Sequence, residues 1–363
     1  MSTSDQQAPS TGKAWWIWWL VVAFVVFLFS FQTGYGIVSD SVQKAVGLTV
    51  VQVSTIAAVY TWAFAIFQFF GGALLDRLGS RKVLPLSIAL VVVGVFVFAN
   101  AHSYEMLLLS QVILAIGSCT GFVGAGYVGG QWFGMAKFSF MFGLVQMIAA
   151  LTSAISQNVF EYGLGQMDWR SLFNLFGAIG IGLLVLGVIY IRNPKPVEPP
   201  TDTSGDGFFV SVIKGMAEVA KIPHVWVASI SGALMFGAML SLGVVWMPKL
   251  MTVHGLSPAM STLGASMLWL GLAVGSPVVT KWSDQIRRRK LPIIVGTAVQ
   301  LACLVALLYV SGLGTGVLLG LCFVFGFANA AHMLSFSTAA DVVKPFQIGT
   351  SAAIVNGIMF ILG

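Results

Sequence analysis

At 363 residues, with 58% hydrophobic and only 8% charged, the chain has too little polar surface for a water-soluble body of its size. Its net charge of +6 does not point to nucleic acid, because the basic residues fall between apolar runs, as suits a membrane surface. Cys119, Cys303 and Cys322 each sit inside an apolar run as small hydrophobes, and His102, His224, His254 and His332 are scattered, so neither a disulfide nor a metal site is expected.

Stretches of about twenty apolar residues predict membrane spans near 14–39, 50–74, 83–101, 105–130, 137–160 and 172–192. Five more follow, near 224–248, 259–282, 291–311, 313–337 and 346 to the end. The first run is too long for the core of a signal peptide and no small-residue cleavage site follows it, so it is expected to be retained. Trp15, Trp16, Trp18 and Trp19 would anchor it at the interface. A tail of residues 1–13 precedes it.

With the N-terminus in the cytoplasm, 15 of the 18 Lys and Arg residues fall on the cytoplasmic side, and only Lys44, Arg170 and Lys249 lie outside. The positive-inside rule therefore predicts a cytoplasmic N-terminus. The longest polar stretch, 193–223, separates a bundle at 14–192 from a second at 224–363. Its Pro-rich start and Ser204-Gly205-Asp206-Gly207 read as a flexible linker. Phe209, Val212, Ile213, Met216 and Val219 or Ala220 then recur at helical spacing, with Lys214, Glu218 and Lys221 opposite. That pattern predicts an amphipathic helix on the cytoplasmic face, either a plain linker or a regulatory element.

Two loops repeat. Asp76-Arg77-Leu78-Gly79-Ser80-Arg81-Lys82 and Asp284-Gln285-Ile286-Arg287-Arg288-Arg289-Lys290 share Asp, an apolar residue at +2, Arg at +5 and Lys at +6. Each lies between the second and third spans of its half, 208 residues apart. Two parallel six-span halves are a transporter architecture. An equal second half would run to about residue 400, so this chain is expected to stop within span eleven, with span twelve missing.

Gly72 through Lys82 is similar to the loop signature of the major facilitator superfamily, G-x-x-x-D-R-x-G-x-[RK]-[RK], and the resemblance covers essentially the whole chain. Trp132-Phe133 and Asp168-Trp169-Arg170 are weaker agreements. The resemblance implies an all-α integral membrane fold of two pseudo-symmetric six-helix bundles, monomeric, in a bacterial inner membrane. It implies secondary transport of a small organic solute by alternating access, coupled to an ion, H+. Export of drugs or siderophores is the alternative. Against it, Gly143–Gln157 lacks the Gly-Pro of span five, and Gln111 stands where such exporters carry Arg. No cluster of nucleophile, base or metal ligands suggests an enzyme, and no cofactor is expected.

The family's loop carboxylate, here Asp76, is understood to engage the inner end of span eleven, near Gln347–Thr350, when the transporter faces outward. The expected latch comprises Asp76, Arg77, Arg81, Asp284 and Arg289, although basic residues there can equally serve only to set topology. Embedded polar residues are costly and mark a solute path or helix–helix contacts. Gln32, Tyr35, Gln146, Trp269, Asn329, His332 and Asn356 are the candidates. Gln32 lies about where organic-phosphate and organic-anion relatives carry Arg, which argues against a phosphorylated solute. Met235 and Met239 read as packing. His332 is the one embedded group suited to proton exchange near neutrality, or else a neutral histidine bonded to a neighbouring helix.

Overall fold

The computed structural model describes residues 11–194 and 208–362, and every segment of regular structure among them is helical. In chain order the helices are α1 (Thr11–Val46), α2 (Val50–Leu78), α3 (Ser80–Ala99), α4 (Tyr104–Ser118), α5 (Gly121–Phe133), α6 (Phe138–Gln166) and α7 (Trp169–Tyr190). There follow α8 (Phe208–Ala220), α9 (Pro223–Ser241), α10 (Met247–Val253), α11 (Pro258–Ile286), α12 (Lys290–Tyr309), α13 (Thr315–Asn329), α14 (Leu334–Ala340) and α15 (Ile348–Leu362). Among the described residues, 11 helices are long and apolar enough to cross a bilayer. The first ten residues and the expected linker loop at 195–207 lie outside the described residues.

Local chemistry sets the helix ends. Thr49 and Gln52 form a reciprocal capping box that opens α2. Gly79, at φ +74°, lets α2 turn directly into α3, in a conformation that a side chain would strain. Asp168 accepts from the backbone N–H groups of Arg170 and Ser171 and from the Ser171 hydroxyl, opening α7. Those bonds favour the carboxylate and hold its pKa below the ordinary value. Helix α1 continues to Val46, past the expected end at 39, because a hydropathy window sees only the part in hydrocarbon while the backbone stays helical until Gly47 at φ +73°.

Three spans are interrupted. The fourth breaks between α4 and α5, and the seventh passes through a π-turn at Leu242–Trp246 just before Pro248, which cannot donate a backbone bond. The tenth tightens into a 3₁₀ turn at Ala330–Met333, and His332 sits in that turn.

In the first half α3 packs on α4 and α7, and α1 on α5, α6 and α7. The rings of Phe31, Phe98 and Phe173 meet pairwise at 4.9–5.4 Å. Trp18 is fully buried in this core, while Trp16 and Trp19 are exposed. Only part of the expected tryptophan belt therefore faces outward. In the second half α11 packs on α13 and α10, and buried Met239, Met247, Met251 and Cys322 fill its core. The halves meet along two seams, α2 against α15 and α6 against α11. At Gly72 the backbones of the first seam approach so closely that a Cβ would overlap the Gly349 carbonyl oxygen.

Candidate functional site

Both repeated loops lie on one face of the molecule, the basic face, and each carboxylate reaches into the other half. Asp76, at the inner end of α2 and 5% exposed, accepts from Gly349 N–H at 2.8 Å, Thr350 N–H at 2.7 Å and the Thr350 hydroxyl at 2.7 Å. The carboxylate thus caps α15, where unpaired N–H groups and the helix dipole favour a negative charge. Asp284 does the same across the other seam, accepting from Phe140 N–H at 3.2 Å in the first turn of α6. Phe140 and Gly349 are 209 residues apart, against 208 for the two aspartates, so the repeat extends to what each carboxylate binds.

The cations around these loops divide the work. Arg77 donates to the hydroxyl and carbonyl of Ser211 in α8. Arg289 bridges Asp284 at 2.5 Å and Asp341 at 3.3 Å. The Arg81 side chain is exposed, and its backbone N–H donates to Asn193. Gln347, just before α15, donates to Glu218 of α8 at 3.0 Å, and Ser139 and Ser337 pair at 2.6 Å across the halves. The basic face is closed.

Deeper in the α2–α15 seam lie buried polar side chains. Phe64 and Phe360 flank them on one side at 5.0 Å between rings, and the contact of Gly72 with Gly349 and Ala353 flanks the other. Between these levels stand Gln68 of α2, fully buried with neither side-chain atom bonded, and Asn356 of α15, buried with its Nδ2 unbonded. Phe236 of α9 touches both Phe360, at 6.0 Å, and the His332 ring, at 5.0 Å. His332 Nδ1 lies 2.8 Å from the Asn329 carbonyl. A carbonyl only accepts, so Nδ1 carries the hydrogen and Nε2 is the nitrogen able to take a proton. Asn329 donates to the Met235 carbonyl at 2.6 Å, leaving its own Oδ1 unbonded.

Of the candidates from sequence, His332 lies against Phe236, Asn329 bonds to the neighbouring Met235 carbonyl, and Asn356 shares α15 with Phe360. Tyr35 instead ties α1 to α2 through Val53 O at 2.9 Å, Trp269 packs over Gly243 of the π-turn, Gln146 is buried in α6, and Gln32 is exposed on α1. Sequence reasoning passed over Gln68. The available signal was a stripe at four-residue spacing, Tyr60, Phe64, Gln68, Gly72 and Asp76, that leads down one face of α2 to the signature carboxylate. No group of three or more potential metal ligands occurs among the described residues.

Comparison with known proteins adds a family match. The model of the Major Facilitator Superfamily matches residues 19–363. The chain is 28% identical over 198 residues to the probable galactarate/D-glucarate transporter GudP of Bacillus subtilis, covering 51% of this chain and 43% of that one. It is 24% identical over 287 residues to the probable nitrate/nitrite antiporter NarK1 of Thermus thermophilus, covering 75% and 62%. The chain thus spans about half the length of the curated relatives it matches. Its fold is similar to that of the human organic anion transporter MFSD10, with a TM-score of 0.70 at 16% identity over 98% of this chain and 91% of that one.

Proposed function

The chain belongs to the major facilitator superfamily, and on that premise we propose that it moves a small organic solute across the membrane by alternating access, driven by protons. The carrying observation is the capping of α15 by Asp76: a carboxylate from one half held by the helix start of the other forms a contact that must break for the basic face to open. The Lys and Arg bias favours a cytoplasmic position for that face, and on this reading the arrangement is the one closed to the cytoplasm. The unbonded side-chain atoms of Gln68 and Asn356, buried along the seam that would open, support a polar solute path there. The protein acts as a monomer in the inner membrane, since each half supplies the other's partner.

The relatives suggest where to begin with solutes: sugar acids and inorganic anions. A thermal-shift screen of the purified protein against sugar acids, sulfonates, nitrate and uncharged metabolites identifies the class, because a ligand stabilises by mass action. A hit must then accumulate in reconstituted vesicles under an imposed pH gradient. A stabilising ligand that never accumulates would overturn the transport reading.

A further inference from the structure

Helix α8 is mounted the opposite way from a helix packed against a soluble protein. On a helical wheel its polar arc runs through Lys214, Glu218, Ser211 and Gly215, and Ser211 and Glu218 on that arc are bound to the transmembrane bundle through Arg77 and Gln347. The apolar arc runs from Val219 and Val212 through Met216 and Phe209 to Ile213 and Val210. Only Val212 and Val219 are buried; Phe209, Ile213 and Val210 are 77%, 57% and 47% exposed. Sequence predicts an amphipathic helix on the cytoplasmic face, and the structure turns most of its apolar arc away from the bundle. The reason is local: α8 is fixed by polar bonds at the ends of α2 and α15, which leaves its greasy side to the surroundings.

A second observation gives the depth. The Trp226 indole N–H donates to the Ala220 carbonyl at the end of α8 at 2.6 Å, while the ring stays 39% exposed. A tryptophan with its polar edge tied and its ring open is the arrangement found at a membrane–water boundary. Lys214 and Lys221, both exposed, flank the apolar strip.

We propose that α8 lies in the membrane interface, with Phe209, Val210 and Ile213 among the lipid and Lys214 and Lys221 recognising anionic phospholipid headgroups. A lysine near an anionic surface favours binding by about fivefold, and the apolar strip supplies the insertion. The inference needs only membrane embedding, so it stands or falls separately from the transport reading.

The test uses the full chain with a spin label at Ile213→Cys, reconstituted in phosphatidylcholine alone or mixed with phosphatidylglycerol. Collisions with oxygen should exceed those with a water-soluble nickel reagent, and the excess should grow with phosphatidylglycerol. Lys214→Gln/Lys221→Gln should remove that growth. A label at Lys82→Cys, exposed and off α8, should remain open to nickel and gives the water-side reference without cutting a bond that holds α8. Nickel accessibility at Ile213 equal to that at Lys82 in both lipids would overturn the proposal. Immersion indifferent to phosphatidylglycerol and to the lysines would overturn the anionic assignment.

Discussion

Asp76 satisfies two backbone donors and a hydroxyl at once, and no other side chain is acidic, short and placed to do so. Asp76→Asn retains one accepting oxygen but loses the charge, and hydrogen bonds to a charged group are each worth about 1.5–3 kcal/mol. Losing about 2 kcal/mol from the closed basic face shifts its population roughly thirtyfold toward opening. Uptake should fall strongly with membrane insertion unchanged; wild-type kinetics in reconstituted vesicles would count against the latch. His332 offers a different test. With Nδ1 committed to the Asn329 carbonyl, only Nε2 is left to bind and release a proton. His332→Gln keeps hydrogen bonding without titration, so concentrative uptake should vanish while solute-for-solute exchange persists. Accumulation unchanged under a pH gradient would make His332 a packing residue and turn attention to Asp341.

Among the elements, the openings of α15 and α6 are held by the same device at unequal strength. Asp76 is buried and serves three donors, whereas Asp284 accepts one N–H at 3.2 Å and shares its charge with Arg289. Asp284→Asn should therefore perturb the closed face less than Asp76→Asn, which spin-label distances across the basic face can rank. The two aspartates were legible in the sequence because charges are rare in this chain and these recur in matching loops. Gln68 was not, since one glutamine in an apolar run carries no sign of what it will face. Pro248 was the only local mark of the π-turn, and hydropathy averages over both it and the 3₁₀ turn that holds His332. Helix α8 was legible as amphipathic, but periodicity reveals an apolar face without saying whether protein or lipid covers it.

At the scale of the whole molecule, the fold is two helical units that touch along two lines. A unit that rocks about such lines must seal one of them with nothing but its own atoms. The α2–α15 line does so backbone to backbone at Gly72, Gly349 and Ala353, with no room for a methyl group and hence none for a file of water. That closeness makes the seam electrical insulation. On the proposed function, a cell holding a proton gradient across its membrane depends on every copy of the protein not conducting while it waits for solute, and a hydrated crack one water wide would short the gradient. Gly72→Val should wedge the line apart. Vesicles carrying the variant should lose an imposed pH gradient faster than wild type with no solute present, by dye fluorescence, and equal decay would show that the barrier lies elsewhere along the path.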